Sequence, residues 1–209
     1  MQEKIHGGLR YVVKYPKGFD ENKVYPVVLF LHGAGSISND IQVLINNKKI
    51  FKQVEELDLP CVLFAPHCDP DLTWLDNIPK LKDFVNMICE LPYTDASRIY
   101  LTGNSMGGYG TWQLAMSMPN TFAAILPICG GGMYWYTWRL KDTPVWAFHG
   151  DADKVVLCDE SRHMVDAINN YGGNAKLTVY PGCDHNSWDA TYSDPKVWDW
   201  VFSQKRKNI

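Results

Sequence analysis

Seven runs of aliphatic and β-branched residues punctuate the chain, at 9–15, 27–31, 61–65, 99–102, 124–129, 145–148 and 177–180. Short apolar runs bounded by Gly, Pro, Asn and Asp read as strands, and continuous rather than alternating hydrophobicity reads as burial on both faces. Between the later runs the apolar spacing lengthens to the helical period, at 41–57, 78–91, 106–118, 160–171 and 195–204. Strands alternating with helices predict an α/β fold, with a mostly parallel central sheet and helices on both faces. Segment 16–26, turn-like and bounded by prolines, joins the first two runs and suggests an antiparallel start. No repeat, low-complexity tract or linker interrupts the pattern, so residues 1–209 are expected to form a single domain. In such sheets ligands bind beyond the carboxyl ends of the strands, so each strand exit is a place to look for chemistry.

A chain of 209 residues can bury a sizeable core without disulfide or metal staples. Its net charge of -3 offers no basic surplus, which argues against nucleic acid, and Lys205-Arg206-Lys207 reads as a frayed terminus. No run approaches the roughly eighteen apolar residues of a membrane span, so no membrane partner is expected. The opening Met1-Gln2-Glu3-Lys4 lacks the apolar core of a signal peptide. The expected location is therefore cytoplasmic, with secretion after removal of a leader left open because a removed leader leaves no trace. The cysteines at 61, 68, 89, 129, 158 and 183 form no Cys-x-x-Cys pair and read as buried thiols. Cys183-x-His185 and His67-Cys68-Asp69 each lack a second half at ligand spacing, so neither a metal nor a cofactor is expected.

One exit stands out. Gly103-Asn104-Ser105-Met106-Gly107 lies between the strand run at 99–102 and the helix pattern at 106–118. Gly-x-Ser-x-Gly at a strand-to-helix turn presents a serine hydroxyl at the sheet edge, and the small residues allow a turn that side chains would block. The exit Leu31-His32-Gly33-Ala34-Gly35 has a main chain that can approach a ligand closely. Its Ala34 N–H, with that of Met106, could bind an oxyanion. Gly33-Ala34-Gly35-Ser36-Ile37-Ser38 has Ser38 where a dinucleotide fingerprint needs a third glycine, and no helix pattern follows at once. Two later exits carry Asp151 and Asp153, then His185, in the Ser, Asp, His order of one known triad arrangement. Spacing does not choose between the aspartates, and Asp184, beside the histidine, is a weaker candidate because neighbouring side chains rarely face each other. His32 and His149 are expected to fix their loops, while His6, His67 and His163 lack a supporting constellation.

Taken together, Leu31 to Gly35, Gly103 to Gly108, His149 to Val156 and Gly182 to Trp188 resemble the α/β-hydrolase superfamily. Within it the chain is similar to small carboxylesterase, phospholipase-like and dienelactone-hydrolase-like esterases, including peptidases related to prolyl oligopeptidase. The resemblance implies an α/β-hydrolase fold and a triad of Ser105, His185 and Asp153, with Asp151 supporting the loop. It places the oxyanion donors on the main chain of Ala34 and Met106. Segment 130–144 is too short for a cap domain, so an open site is expected. Its aromatics include Tyr134 and Trp135, which, with Trp74 and Trp188, are the candidates for binding substrate; packing against the body of the protein or against another subunit is the alternative use of that segment. The expected activity is hydrolysis of carboxylic esters, short-acyl or carbohydrate- or aromatic-linked, by a serine esterase acting on a small-molecule or oligosaccharide ester. Peptidase and thioesterase action are the alternatives within the fold, and a non-catalytic binding protein the alternative outside it.

Overall fold

A computed structural model describes residues 1–46 and 49–206. Eight strands, β1 (Gln2–His6), β2 (Leu9–Lys14), β3 (Tyr25–Leu31), β4 (Val62–Pro66), β5 (Thr94–Asn104), β6 (Ala124–Ile128), β7 (Val145–Gly150) and β8 (Ala175–Tyr180), form one sheet in the order β1-β2-β4-β3-β5-β6-β7-β8. From β4 to β8 every pairing is parallel, whereas β1–β2 and β2–β4 are antiparallel. The fold is the expected α/β-hydrolase sheet, mixed but mostly parallel.

The helices are α1 (Gln42–Asn46), α2 (Lys49–Glu56), α3 (Ile78–Glu90), α4 (Met106–Ser117), α5 (Cys158–Asn170), α6 (Trp188–Ser193) and α7 (Pro195–Ser203). Because side chains alternate across a strand, β3 sends Val27, Leu29 and Leu31 to one face and Val28 and Phe30 to the other. The first face packs Phe84 and Ile88 of α3, Trp112 of α4 and Met164 of α5. The second packs Leu44 of α1, Val54 of α2, Tyr192 of α6 and Trp198 of α7. Helices therefore cover both faces, which is why the strand runs are apolar throughout.

Three features depart from the sequence pattern. The antiparallel start is real, but β2 pairs with β4, from Tyr11 opposite Pro66 to Lys14 opposite Leu63, and not with the strand that follows it. Both edges of β3 are taken by β4 and β5, and the connection is held by Phe19, whose ring lies 4.3 Å from Tyr15 and 5.2 Å from Tyr25 and Tyr93. Strand β1 escaped the hydrophobic pattern because Gln2 to Ile5 are exposed at the sheet edge. Its signal is the two-residue turn Gly7-Gly8, with φ of 54° and 78°, the left-handed pair that a tight hairpin needs. The C-terminal basic run is not frayed at Arg206, whose N–H donates to Ser97 O at 2.9 Å; Lys207 lies outside the described residues. So do residues 47–48 inside the expected helix 41–57, which the structure shows as α1 and α2. No helix among the described residues is long and apolar enough to cross a membrane.

Candidate active site

Ser105 sits between β5 and α4 at φ 56° and ψ −119°. Such a conformation costs a β-carbon-bearing residue roughly 1–3 kcal/mol. Surrounding contacts enforce it: Ser105 N–H donates to Ile128 O on the neighbouring β6 at 3.0 Å. A Cβ at Gly107 would run into the Leu31 carbonyl, and one at Gly103 into the Gly107 carbonyl, so both motif glycines are sterically required.

Two other exits bring their side chains to this serine. His185, after β8, has Nε2 2.9 Å from Ser105 Oγ and Nδ1 2.7 Å from Asp153 Oδ2. A carboxylate only accepts, so the proton between them sits on Nδ1 and donates to Asp153, leaving Nε2 to accept from the serine hydroxyl. The Asp153 side chain is fully buried. Burial alone would raise its carboxyl, but donation from His185 and from the N–H groups of Val156 and Val155 outweighs burial and holds it below the usual value. Those two main-chain donors reach Oδ1 at 3.0 and 2.9 Å. Asp151 is exposed and accepts from Gly182 N at 2.6 Å, tying the exit of β7 to that of β8. Asp184 accepts instead from Asn186 N at 3.1 Å. His149 is buried, with Nε2 2.9 Å from Val156 O and 3.2 Å from Asp153 Oδ2, and Nδ1 2.8 Å from Ser161 Oγ. It fastens the loop that carries Asp153. A hydroxyl bonded to an imidazole whose far nitrogen is held by a buried carboxylate is equipped for nucleophilic attack with proton transfer.

Opposite lies the exit of β3, where Ala34 opens a short 3-10 turn (Ala34–Ser36). Met106 is the first residue of α4. N–H groups in the first turn of a helix have no partner within it, so both are suited to an oxyanion. The loop is anchored by side chains. His32 donates from Nδ1 to Gly33 O at 2.9 Å and accepts at Nε2 from Cys68 N at 3.0 Å. Burial pushes its pKa down to about 4, so it is neutral. His67 Nε2 lies 3.1 Å from Ser36 O, and its Nδ1 3.3 Å from an Arg10 guanidinium nitrogen. His67 thus has the supporting role that the sequence did not disclose, since its partners lie 31 and 57 positions away.

The expected substrate-binding aromatics divide. Trp74 is fully buried, and its indole N–H donates to His32 O at 2.8 Å, so it braces the loop instead of bordering a pocket. Trp188 is also buried, its ring edge-on to His185 at 5.4 Å, where it backs the imidazole. In both cases the indole body is more stable inside, with tertiary neighbours the sequence does not reveal. Tyr134 and Trp135 are exposed by 52% and 60% on a 3-10 segment (Tyr134–Leu140), with Tyr134 5.8 Å from the His163 ring of α5. A cleft of about 310 Å³, which the sequence reading missed, is lined by Leu75, Tyr109, Gln113, Gly131, Gly132 and Met133. A larger hollow of about 400 Å³, lined in part by Phe122, Lys141 and Pro144, opens at the amino ends of β6 and β7, away from the serine. Among the described residues, Cys129, Asp153 and His185 bring ligand-type atoms within 4.8 Å of one another, but Asp153 and His185 are already bonded together.

The sequence profile of the dienelactone hydrolase family matches residues 73–195, which span the serine, aspartate and histidine exits. The crystal structure of a thermostable esterase superposes with a TM-score of 0.84 at 34% identity, covering 95% of this chain and 60% of that one. Dipeptidyl-peptidase 5 of Porphyromonas gingivalis is 23% identical over 87% of this chain and 33% of its own length. A probable feruloyl esterase C of Aspergillus terreus is 26% identical, with 84% of this chain and 72% of that protein covered. The chain thus spans a third of the peptidase and three-fifths of the esterase.

Proposed function

The chain belongs to the dienelactone hydrolase family of the α/β-hydrolase fold, and from that premise we propose that it is a serine hydrolase cleaving carboxylic esters through an acyl-enzyme. The carrying observation is the continuous relay from Ser105 Oγ to His185 Nε2 at 2.9 Å and from His185 Nδ1 to Asp153 Oδ2 at 2.7 Å. Ser105 Oγ bonds to the ester carbonyl carbon while its proton passes to His185 Nε2, and the carbonyl π electrons move onto oxygen. The N–H groups of Ala34 and Met106 receive that oxyanion, each worth roughly 2.7–4 kcal/mol in the transition state. Collapse breaks the bond to the alcohol oxygen, which takes the proton from His185. Water then repeats the sequence on the acyl-enzyme and frees Ser105. Throughout, Asp153 holds the imidazole tautomer and stabilises the transient imidazolium.

The substrates that fit are short-acyl esters or esters linked to a carbohydrate or aromatic group. Support comes from the exposed Tyr134 and Trp135 and from the similarity to a feruloyl esterase. A peptidase is the second reading, favoured by the similarity to dipeptidyl-peptidase 5. The test compares wild type with Ser105→Ala on 4-nitrophenyl acetate and on a dipeptide naphthylamide, with fluorophosphonate labelling of the serine. Ester turnover that is labelled at Ser105 and falls by about 10⁴-fold or more in the variant is expected. Undiminished turnover in Ser105→Ala overturns the proposal, and cleavage of the peptide alone replaces it with the second reading.

A further inference from the structure

The cleft formed by Leu75, Tyr109, Gln113, Gly131, Gly132 and Met133 begins one helical turn from the nucleophile, since Tyr109 N–H donates to Ser105 O at 3.1 Å. Its far wall follows β6, the strand whose Ile128 O receives Ser105 N–H. At about 310 Å³ it lies at the small end of ligand pockets, with room for one ring and a short linker.

Its shape follows from the glycines. A Cβ on Gly131 would strike Glu160, and one on Gly132 would crowd Met164 Cε at 3.3 Å and Trp112 Cβ at 3.4 Å. Both side-chain directions point into the protein, so this wall presents bare main chain. Leu75, exposed by 52%, and Met133, exposed by 37%, also line the cleft, apolar surface that folding has not covered. The polar side chains of its lining are Gln113 and Tyr109, whose hydroxyl pKa is raised by burial first and by the nearby Glu160 carboxylate second. A small, mainly apolar cleft with one wall of bare main chain suits a planar ring better than a flexible chain, because a rigid ring loses little conformational freedom on binding.

Topology decides which half of the ester enters. The cleft lies along α4, on the face that packs Trp112 and Met164, whereas His185 leads into α6, whose Trp188 belongs to the opposite face. His185 must deliver its proton to the departing oxygen, so the alcohol lies on the His185 side. The acyl group is left facing α4. We propose that this cleft is the acyl pocket and that it selects a planar aromatic acyl group, with Leu75 and Met133 as its specificity-determining jaws. The inference rests on the serine-hydrolase reading above.

The experiment measures kcat/KM for 4-nitrophenyl acetate, octanoate and 3-phenylpropenoate, which share one leaving group, each divided by the ester's rate with hydroxide. Phenylmethyl acetate against ethyl acetate tests the alcohol side in the same way. The normalised ratio of arylacyl to acetyl ester should exceed about tenfold in the wild type and fall by about tenfold or more in Leu75→Trp and Met133→Trp. Exposed positions tolerate such changes, and the thermal midpoint of each variant checks that it is folded. Tyr171→Ser, altering an exposed residue at the distal end of α5, should leave the ratio unaltered. Preference for octanoate, a ring preference on the alcohol side only, or an unchanged ratio in both folded jaw variants overturns the inference. Any of these with Ser105-dependent acetate hydrolysis intact leaves the serine-hydrolase reading standing, whereas Ser105-independent turnover removes both.

Discussion

Asp151 and Asp153 are two positions apart and chemically identical, yet one is exposed on a loop tie and the other is buried against His185. In the proposed mechanism it is this difference of environment that separates their roles. Asp153→Asn should lower kcat by about 10⁴-fold, because an amide favours the wrong imidazole tautomer while preserving the shape of the site. Asp151→Asn should stay within about tenfold of wild type, since an amide oxygen can still accept from Gly182 N–H; steady-state kinetics of both variants on one ester checks the ranking. At Gly107 the constraint is steric. Gly107→Ala drives a methyl into the Leu31 carbonyl and should destabilise the protein by about 3 kcal/mol or more, read as a lowered urea midpoint at unchanged slope.

The loop after β3 shows how an element without regular structure is held. His32 within the loop, and His67 and Trp74, 31 and 42 positions farther along the chain than their partners, bond to its main chain. The folded-state pKa of His32, pushed down by burial to about 4, lies below its unfolded value. Between roughly pH 6.5 and 4 the unfolded chain therefore binds a proton that the native state refuses. The contribution of His32 is fully present above the unfolded value and is lost as pH falls through that window. Urea unfolding at pH 7, 5.5 and 4.5 should show stability declining, with His32 contributing up to about 3 kcal/mol of the loss. His32→Gln should be less stable at pH 7 and show a shallower decline.

At the scale of the whole molecule, one sheet separates two cores, and the proposed catalytic groups stand at the carboxyl ends of its strands. The core packed by α3, α4 and α5 includes Phe84, which is fully buried with its ring 4.7 Å from that of Tyr11. Phe84→Ala should cost about 3–5 kcal/mol and lower the thermal midpoint by roughly 2–4 °C per kcal/mol, as calorimetry would show. Tyr134→Ser, at an exposed residue, should change stability by no more than about 0.5 kcal/mol. Strands β2 to β8 were legible as apolar runs because a sheet covered on both faces needs apolar side chains in both directions. Strand β1 was not, because an exposed edge strand buries almost no side chain, and its backbone pairing leaves little mark on side-chain pattern beyond Gly7-Gly8.

The sequence by itself determined the order of strands β2 to β8 and of the longer helices between them, the glycine-walled turn at Ser105, and the exits from which an acid and a base could come. These are local matters: an apolar run, a turn that tolerates no Cβ, a reactive side chain placed just after a strand. Only the tertiary structure decided what depends on distant partners. It paired β2 with β4 across the chain, brought His185 Nδ1 rather than a solvent proton to Asp153, and turned Trp74 and Trp188 inward to brace the site. It also opened the cleft between Leu75 and Met133, residues 58 positions apart that no period or motif connects. The division follows from range. Hydrophobic pattern and turn sterics act over a few residues and are written along the chain, whereas burial, hydrogen-bond partners and the walls of a cleft exist only once the sheet has gathered its exits.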